Sequence, residues 1–288
     1  MGLKQGYLLV LPTTSIITAL AVYPLFRLIE LSISQVNFVA GQMYTQFVGV
    51  NNYVKVLQDP LFHYSSFVTL IFSSVSVIIE MVLGTFLALA VGNINNDRVR
   101  SLAQLILLMT MMIPPVAVAL LWRFILYPNL GLFDKIVTFL NLPRIDWLGN
   151  PFWALISIIV VDVWHWTSFV FLIVYAGYTS LPTNVFEAAE LDGAKGFTLL
   201  RFITLPLLAP TLSVAFLFRA TDVLRAFGEI QQLTFGGPRD STTILNLLIY
   251  KATFQYMDWG YAAVVSIILV IISLLLLLVT LKFTTKGR

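Results

Sequence analysis

The chain has 288 residues, of which 59% are hydrophobic and 11% charged, and its formal net charge is +3. Soluble globular domains carry about 25% charged residues, so this composition is typical of a protein that lies in a lipid bilayer. The small net charge gives no indication of nucleic-acid binding. The absence of cysteine excludes disulfides, thiol catalysis and cysteine-ligated metals. The sequence contains no phosphate-binding glycine loop, so a nucleotide is expected to bind to another protein.

Six apolar runs are long enough to cross about 30 Å of hydrocarbon, which needs about 20 residues in a helix. Backbone groups cannot remain unpaired in lipid. We therefore predict an all-α integral membrane protein with six transmembrane helices, forming a single domain over residues 1–288. The expected spans are residues 7–28, 67–91, 102–126, 152–175, 207–230 and 261–281.

The first run has some features of a cleaved signal peptide. Lys4 precedes its apolar core, and Ala19-Leu20-Ala21 is a possible cleavage site. The apolar residues continue past this site through Leu25, and five further spans follow. We therefore favour an uncleaved first span, with a cleaved leader as the alternative.

The second and third runs each contain one isolated charge, Glu80 and Arg123. A charge within a span costs a few kcal/mol or more unless it is paired or faces water. We expect both to form structural ion pairs across helices. Pro114-Pro115 interrupts the third run and predicts a kink there, which would suit a gate but also occurs in static helices.

The fourth run carries polar and aromatic side chains in its middle: Asp162, Trp164, His165, Trp166, Thr167, Ser168 and Phe169. Flat rings offer apolar faces on which a solute can stack, and their polar edges can form hydrogen bonds with it. His165 and Trp166 are therefore candidate substrate contacts. The alternative for a tryptophan is the aromatic belt at the membrane interface, but Trp164 and Trp166 lie in mid-span, about 200° apart around a helix.

The polar loop between the fourth and fifth runs, residues 177–206, predicts a helix, a sharp turn and a second helix. Thr183 or Asn184 would cap a helix that continues to Asp192. Gly193 would end it in a left-handed conformation. A second short helix is expected over residues 197–203, and Pro206 would begin the fifth span.

This loop is similar to the EAA loop of permease subunits of ATP-binding-cassette importers. The family pattern is E-A-A, three residues, G, nine residues, I, one residue, L-P. It is matched at every spacing by Glu187, Ala188, Ala189, Gly193, Ile203, Leu205 and Pro206. An ordinary amphipathic loop helix is the alternative, but periodicity alone does not dictate the spacing of the Gly and the Leu-Pro.

The fifth run is the richest in charge. In a continuous helix Arg219, Asp222, Arg225 and Glu229 fall within an arc of about 120°. We expect Asp222 to pair with Arg219 or Arg225, and Glu229 with Arg225. The stripe would be either a substrate-contacting or gating surface or a structural ion-pair ladder at a subunit interface, with Arg219 and Asp222 favouring the functional interpretation.

Orientation follows from lysine and arginine. If the N-terminus is cytoplasmic, the inner segments hold 8 of these residues in 51 positions and the outer segments hold 5 in 93. The excess places both termini and the EAA loop in the cytoplasm. This orientation does not depend on the family resemblance and agrees with it.

Two outer loops are similar to the carbohydrate branch of these importers. Residues 47–53 match F-x-G-x-x-N-Y, and residues 233–238 match L-T-x-G-G-P, a turn where a span ends. The resemblance to the larger permease of maltose importers implies sugar contacts at His165, Trp166, Phe169, Arg219, Asp222, Val223 and Ala226. The charges of Arg219 and Asp222 depart from the largely neutral maltose pattern, which suggests a different sugar or polyol.

The resemblance further implies the type I importer permease architecture with a cytoplasmic coupling helix, in a multi-pass protein of the cell membrane. The partners would be a second, commonly non-identical permease, two cytoplasmic ATPases and an extracytoplasmic solute-binding protein. The chain itself would be non-catalytic and bind no cofactor, because ATP and Mg²⁺ bind to the ATPases. The residues implied in ATPase coupling are Glu187, Ala188, Ala189, Asp192 and Gly193.

Two other classes of function are considered. A secondary transporter would use Asp222, Glu229 and Glu80 as proton or sodium carriers, but no convincing inverted repeat is found. A membrane enzyme or scaffold ranks last, because no nucleophile–base pair or metal constellation is present.

Overall fold

A computed structural model of the protein describes residues 3–39 and 42–286. These residues form mainly helices, with one two-stranded antiparallel hairpin. The helices are α1 Leu3–Ser32, α2 Asn51–Gln58, α3 Pro60–Gly92, α4 Asp97–Met111, α5 Pro115–Ile125, α6 Leu132–Phe139, α7 Pro151–Thr179, α8 Thr183–Leu191, α9 Phe197–Leu199, α10 Leu205–Val223, α11 Gly228–Thr234, α12 Leu245–Tyr250 and α13 Trp259–Lys286. The strands are β1 Ser34–Val39 and β2 Gln42–Phe47, and π-helical turns at Leu200–Thr204 and Lys251–Gln255 follow α9 and α12.

Within the described chain, five helices are long and apolar enough to cross a membrane, and a bent pair supplies a sixth candidate. The five are Leu11–Ser32, Pro60–Gly92, Pro151–Thr179, Phe197–Val223 and Trp259–Lys282, and the pair is α4 with α5. The predicted all-helical membrane fold is confirmed. The prediction missed the β1–β2 hairpin, in which Ser34 pairs with Phe47, because its mixed polar and apolar sequence lies outside the apolar runs.

The third predicted span, residues 102–126, is wrong as a continuous helix. Helices α4 and α5 are bent by 95° where they meet. The kink expected at Pro114-Pro115 is confirmed, because proline cannot donate the backbone hydrogen bond that would continue α4. Pro115 instead occupies the first turn of α5, where its missing N–H costs nothing.

The fifth predicted span, residues 207–230, is also broken. Helix α10 ends at Val223, and α11 begins only at Gly228. The side-chain amide of Asn246 donates to the carbonyls of Arg225 and Ala226, at 3.0 and 3.3 Å. A break at membrane depth requires such partners, because lipid offers none to a freed carbonyl. The sequence pattern missed the break because it contains no proline.

The chain divides into two compact units, and the single domain predicted from the sequence stays a prediction. The first unit comprises the described residues of 1–64 and 248–271. In it, the buried side chain of Asn52 donates to the carbonyls of Ser32 and Ser34, at 3.0 and 2.9 Å. These two bonds fix α2 to the junction of α1 and β1.

The second unit comprises the described residues of 65–247 and 272–286. Its core brings α3, α7 and α10 together through Ala88, Val91, Val170, Phe171, Val174, Leu208 and Ala215. Gly84 permits a close approach, because a Cβ there would lie 2.7 Å from Cβ of Val170. Small residues allow such helix contacts in membranes. One turn before Gly84, the same face of α3 carries Glu80.

Candidate functional site

A buried charge cluster joins three helices of the second unit. Arg219 of α10 is 1% exposed, and it lies between Glu80 of α3, at 0%, and Asp162 of α7, at 1%. Nε and Nη2 of Arg219 donate to the two carboxylate oxygens of Glu80, at 2.5 and 2.9 Å. Nη2 also donates to Oδ2 of Asp162 at 2.5 Å. The planar guanidinium can serve both acids because its donors form a rigid fork.

Two weaker contacts complete the surroundings of Arg219. Nη1 of Arg219 lies 3.6 Å from Oδ2 of Asp222. The other carboxylate oxygen of Asp222, Oδ1, accepts a hydrogen bond from Arg225 at 3.2 Å. The guanidinium carbon of Arg219 lies 5.3 Å from the ring centroid of Trp166, within the range of a cation–π contact. Arg219 therefore contacts three acids and one aromatic ring.

His165 forms a second buried pair beside this cluster. Its Nδ1 is hydrogen-bonded to the carboxyl group of Glu229 on α11, and its Nε2 donates to the carbonyl of Ile113 at 3.0 Å. A backbone carbonyl can only accept, so the Ile113 contact requires the proton on Nε2. Ile113 lies in the break between α4 and α5, so His165 supplies a donor where the bend frees a carbonyl.

A polar pocket of about 180 Å³ lies against this cluster. Its wall comprises Pro115, Asp162, Trp166, Arg219, Asp222, Arg225, Ala226, Phe227, Gly228 and Glu229. Four of the seven predicted substrate contacts thus line one pocket: Trp166, Arg219, Asp222 and Ala226. The pocket exists because α10 stops at Val223, which leaves the α10–α11 connection as part of its wall.

The other three predicted contacts lie outside this wall. His165 is buried behind it against Glu229, and Val223 is 2% exposed. The ring of Phe169 packs edge-on against Trp166 and Phe218, at 6.4 and 6.5 Å between centroids. A substrate role for these seven residues stays a prediction.

The predicted pairing of the charged stripe is partly wrong. Asp222 does contact both Arg219 and Arg225. Glu229, however, pairs with His165 instead of Arg225, because the break after Val223 removes it from the face of α10. The pairing expected for Glu80 across helices is found with Arg219.

The ion pair expected for Arg123 is not found among the described residues. Its guanidinium carbon lies 5.5 Å from the ring centroid of Phe235, and it donates to the carbonyl of Gln232 at 3.3 Å.

Asp162 lines the pocket but was not among the site residues predicted from the sequence. Its spacing from His165 and Trp166, three and four residues, places all three near one another on α7. Its hydrogen-bond partner, Arg219, comes from α10. An acid in mid-span was a detectable signal, but its place in the pocket depends on tertiary packing.

A separate feature of the second unit is the loop that carries the EAA motif. Helix α8 ends at Leu191 with Asp192 as its C-cap, and Gly193 follows at φ +84. The N–H of Gly193 bonds the carbonyl of Glu190 at 3.0 Å, and that of Ala194 bonds the carbonyl of Ala189 at 2.9 Å. This pair of bonds is the Schellman motif. The left-handed stop predicted for Gly193 is confirmed.

Two predictions for the same loop are wrong. Neither Thr183 nor Asn184 caps α8, because the helix already begins at Thr183 and Pro182 precedes it without a side-chain bond. The second short helix is not separate from the fifth span. Helix α9 continues through the π-helical turn into α10, since Pro206 is tolerated in the first turn of α10.

The residues expected to couple to an ATPase lie mostly on the surface. Glu187, Ala188, Asp192 and Gly193 are exposed, whereas Ala189 is buried. Beside them Leu191 is 90% exposed and Phe197 is 71% exposed. Behind α8 lies a cleft of about 780 Å³, to which Glu187 and Glu190 contribute. Their coupling role stays a prediction.

Comparison with known proteins identifies relatives over nearly the whole chain. Residues 80–283 match the family model described as "Binding-protein-dependent transport system inner membrane component". The trehalose/maltose transport system permease protein MalF of Thermococcus litoralis is 36% identical over 97% of this chain and 93% of its own length. The lactose transport system permease protein LacF of Rhizobium radiobacter is 31% identical, covering 93% and 89% of the two chains.

The fold is also similar to solved structures. A chain of a bacterial alginate ABC transporter, solved in complex with an alginate pentasaccharide-bound periplasmic protein, superposes with a TM-score of 0.84. The match covers 96% of this chain and 92% of the other at 23% sequence identity. At this identity the likeness shows the fold alone, and that fold is the type I importer permease.

Proposed function

This chain belongs to the family of binding-protein-dependent transport system inner membrane components, and we propose that it is the permease subunit of an ATP-driven ABC importer of a sugar. The substrate class is a di- or oligosaccharide, or a polyol or glycoside. The observation that carries the proposal is the full EAA spacing, which lies on an exposed helix–turn, in a chain that shares more than 30% identity with two sugar permeases.

The polar pocket is the proposed substrate contact of this subunit. Trp166 offers an apolar face and a polar edge, and the charged groups of Asp222 and Arg225 line the same pocket. This combination of a flat ring with hydrogen-bonding groups suits a sugar. At about 180 Å³ the pocket is smaller than the usual 300–1,000 Å³ of a ligand site. We expect a second permease to complete it.

Helix α8 is the proposed contact with a cytoplasmic ATPase. Leu191 and Phe197 expose most of their surface on either side of the Gly193 turn. An apolar surface rimmed by charges such as Glu187 is typical of a docking site. ATP and Mg²⁺ would bind to two ATPase subunits. This chain would be non-catalytic and would transmit their closure to the pocket.

The remaining assignments follow from the same architecture. A solute-binding protein would deliver the sugar from outside the cell membrane, and the second permease would be a non-identical homologue. Both termini would lie in the cytoplasm, since the inner segments hold lysine and arginine at nearly three times the outer density. We find no support for the ion-gradient alternative, because Glu80 and Glu229, two of its three proposed carriers, are bonded to Arg219 and His165.

The test is sugar uptake into proteoliposomes that contain this chain with its partner permease, ATPases and binding protein. Radiolabelled maltose, trehalose, lactose and a polyol are offered in parallel. Uptake of at least one that requires internal ATP and persists when ionophores abolish ion gradients is the expected result. Uptake that collapses with ionophores while ATP is maintained would restore the secondary-transporter alternative.

A further inference from the structure

One oxygen of the buried cluster is left without a partner. Oδ2 of Asp162 accepts from Arg219, but Oδ1 has no hydrogen-bond partner among the described residues. Asp162 is 1% exposed. Leaving a charged acceptor unsatisfied in such a place costs more than leaving a neutral one. By contrast, both oxygens of Glu80 are bonded to Arg219.

Asp162 also lies in the wall of the polar pocket, whereas Glu80 does not. The two acids share the same guanidinium and the same degree of burial. They differ in that only Asp162 combines an unbonded carboxylate oxygen with a place in the pocket wall. Both oxygens of Glu80 are used to bind Arg219, whereas Asp162 binds Arg219 with one oxygen and keeps the other as an unused acceptor.

The hydrogen-bonding groups of the pocket indicate which solute group would be accepted. Arg219 is paired with Glu80 and Asp162, and Arg225 is paired with Asp222. The unbonded carboxylate oxygen, Oδ1 of Asp162, can only accept a hydrogen bond. A hydroxyl can donate to this oxygen, whereas a carboxylate or sulfonate has no donor to offer.

We propose that Oδ1 of Asp162 accepts a hydrogen bond from a hydroxyl group of a neutral sugar held in this pocket. The proposal rests on the proposed function, and it assigns Asp162 as a residue that determines substrate specificity. The ring of Trp166 lines the same pocket beside Asp162 and supplies the apolar face on which the sugar would stack.

The test compares Asp162→Asn with Glu80→Gln, which makes the same acid-to-amide change at the other acid of the cluster. In Asp162→Asn the amide oxygen can keep the bond from Arg219, and its NH₂ group then replaces the acceptor in the pocket with a donor. Binding of radiolabelled maltose, trehalose and lactose is measured with the whole vanadate-trapped complex in nanodiscs. For a sugar that the wild type binds, Asp162→Asn is expected to raise the Kd about ten- to a hundred-fold, as for loss of a charged hydrogen bond. Glu80→Gln is expected to change it less than about three-fold.

Several results would overturn the proposal. One is an unchanged Kd for Asp162→Asn in a complex whose wild type binds the sugar. Another is an equal rise in the Kd for Glu80→Gln, which would assign the effect to disruption of the cluster as a whole. Binding of an alginate disaccharide by the wild type as tightly as of the neutral sugar would also contradict it. If no sugar binds or is taken up by the wild-type complex, the proposed function itself fails.

If the Asp162→Asn variant does not assemble into the complex, a second measurement tests the proposed hydrogen bond to Asp162. Difference infrared spectra of the wild-type complex, with ¹³C-labelled aspartate in this chain, are recorded with and without sugar. A sugar-dependent shift of an aspartate carboxylate band is expected, because a new hydrogen bond changes its stretching frequency. Spectra without any such shift would overturn the proposal.

Discussion

Arg219 stabilises the second unit by neutralising charges that three helices bring into the membrane. It bonds Glu80 and Asp162 at once, and all three side chains are at most 1% exposed. Removing one partner of a buried pair leaves an uncompensated charge, which typically costs about 3–5 kcal/mol. The same cluster therefore fixes α3, α7 and α10, and two of its members, Asp162 and Arg219, line the pocket.

The first prediction at this scale concerns Arg219→Gln. It should lower the free energy of unfolding by about 3–5 kcal/mol, measured by SDS titration in mixed micelles. Arg225→Gln is the control, because the side chain of Arg225 is 74% exposed and its pair with Asp222 should contribute about 0–1 kcal/mol. Equal stability of Arg219→Gln and the wild type would show that the cluster does not hold the helices together.

Individual residues were predicted in part from the sequence. An isolated acid such as Glu80 must find a partner in lipid, so its pairing was predictable although its partner was not. The partner depends on which faces of α3 and α10 meet, and a single sequence does not encode that directly. Glu229 was assigned to the wrong partner because the helix assumed for it ends at Val223.

At the scale of elements, α8 and its turn link the exposed loop to the spans. The turn requires a residue at φ +84, and a Cβ at Gly193 would meet nothing within 4 Å. A substitution there therefore acts through backbone strain and not through a clash. Such strain costs of order 1–3 kcal/mol for ordinary residues, and it is most severe for β-branched ones.

The second prediction compares Gly193→Val with Gly193→Asn. The valine variant should insert into the membrane normally but lower sugar uptake about ten-fold, because the Schellman turn that orients α8 is lost. Asparagine tolerates the left-handed conformation and should retain most of the uptake. Uptake and the amount of protein in the membrane are measured together. Normal uptake by Gly193→Val would count strongly against a coupling role for the turn.

Elements with clear local signals were the most predictable. Pro114-Pro115 predicted the bend between α4 and α5, and Gly193 predicted the end of α8. The break between α10 and α11 was missed because Asn246, which bonds the freed carbonyls of Arg225 and Ala226, lies about 20 residues further along the chain. Similarly, Pro206 was taken as a boundary although a proline in the first turn leaves a helix continuous.

At the scale of the whole molecule, the chain is a type I importer permease whose membrane character follows from composition alone. The helical membrane fold, the Gly193 turn of the EAA loop and the similarity to sugar permeases were predicted from apolar runs and motif spacing. The pocket was not, because it needs the α4–α5 bend, the α10–α11 break and the approach of α7 to α10 simultaneously. Each of these depends on contacts between residues far apart in sequence.

The most direct test of the account is the ATPase activity of the complex that co-purifies through a tag on this chain, measured in nanodiscs with its binding protein. Sugar-loaded binding protein should stimulate hydrolysis several-fold over unloaded binding protein, and Gly193→Val should abolish the stimulation while the basal activity remains. If no ATPase co-purifies and solute flux follows an ion gradient, the importer account is contradicted.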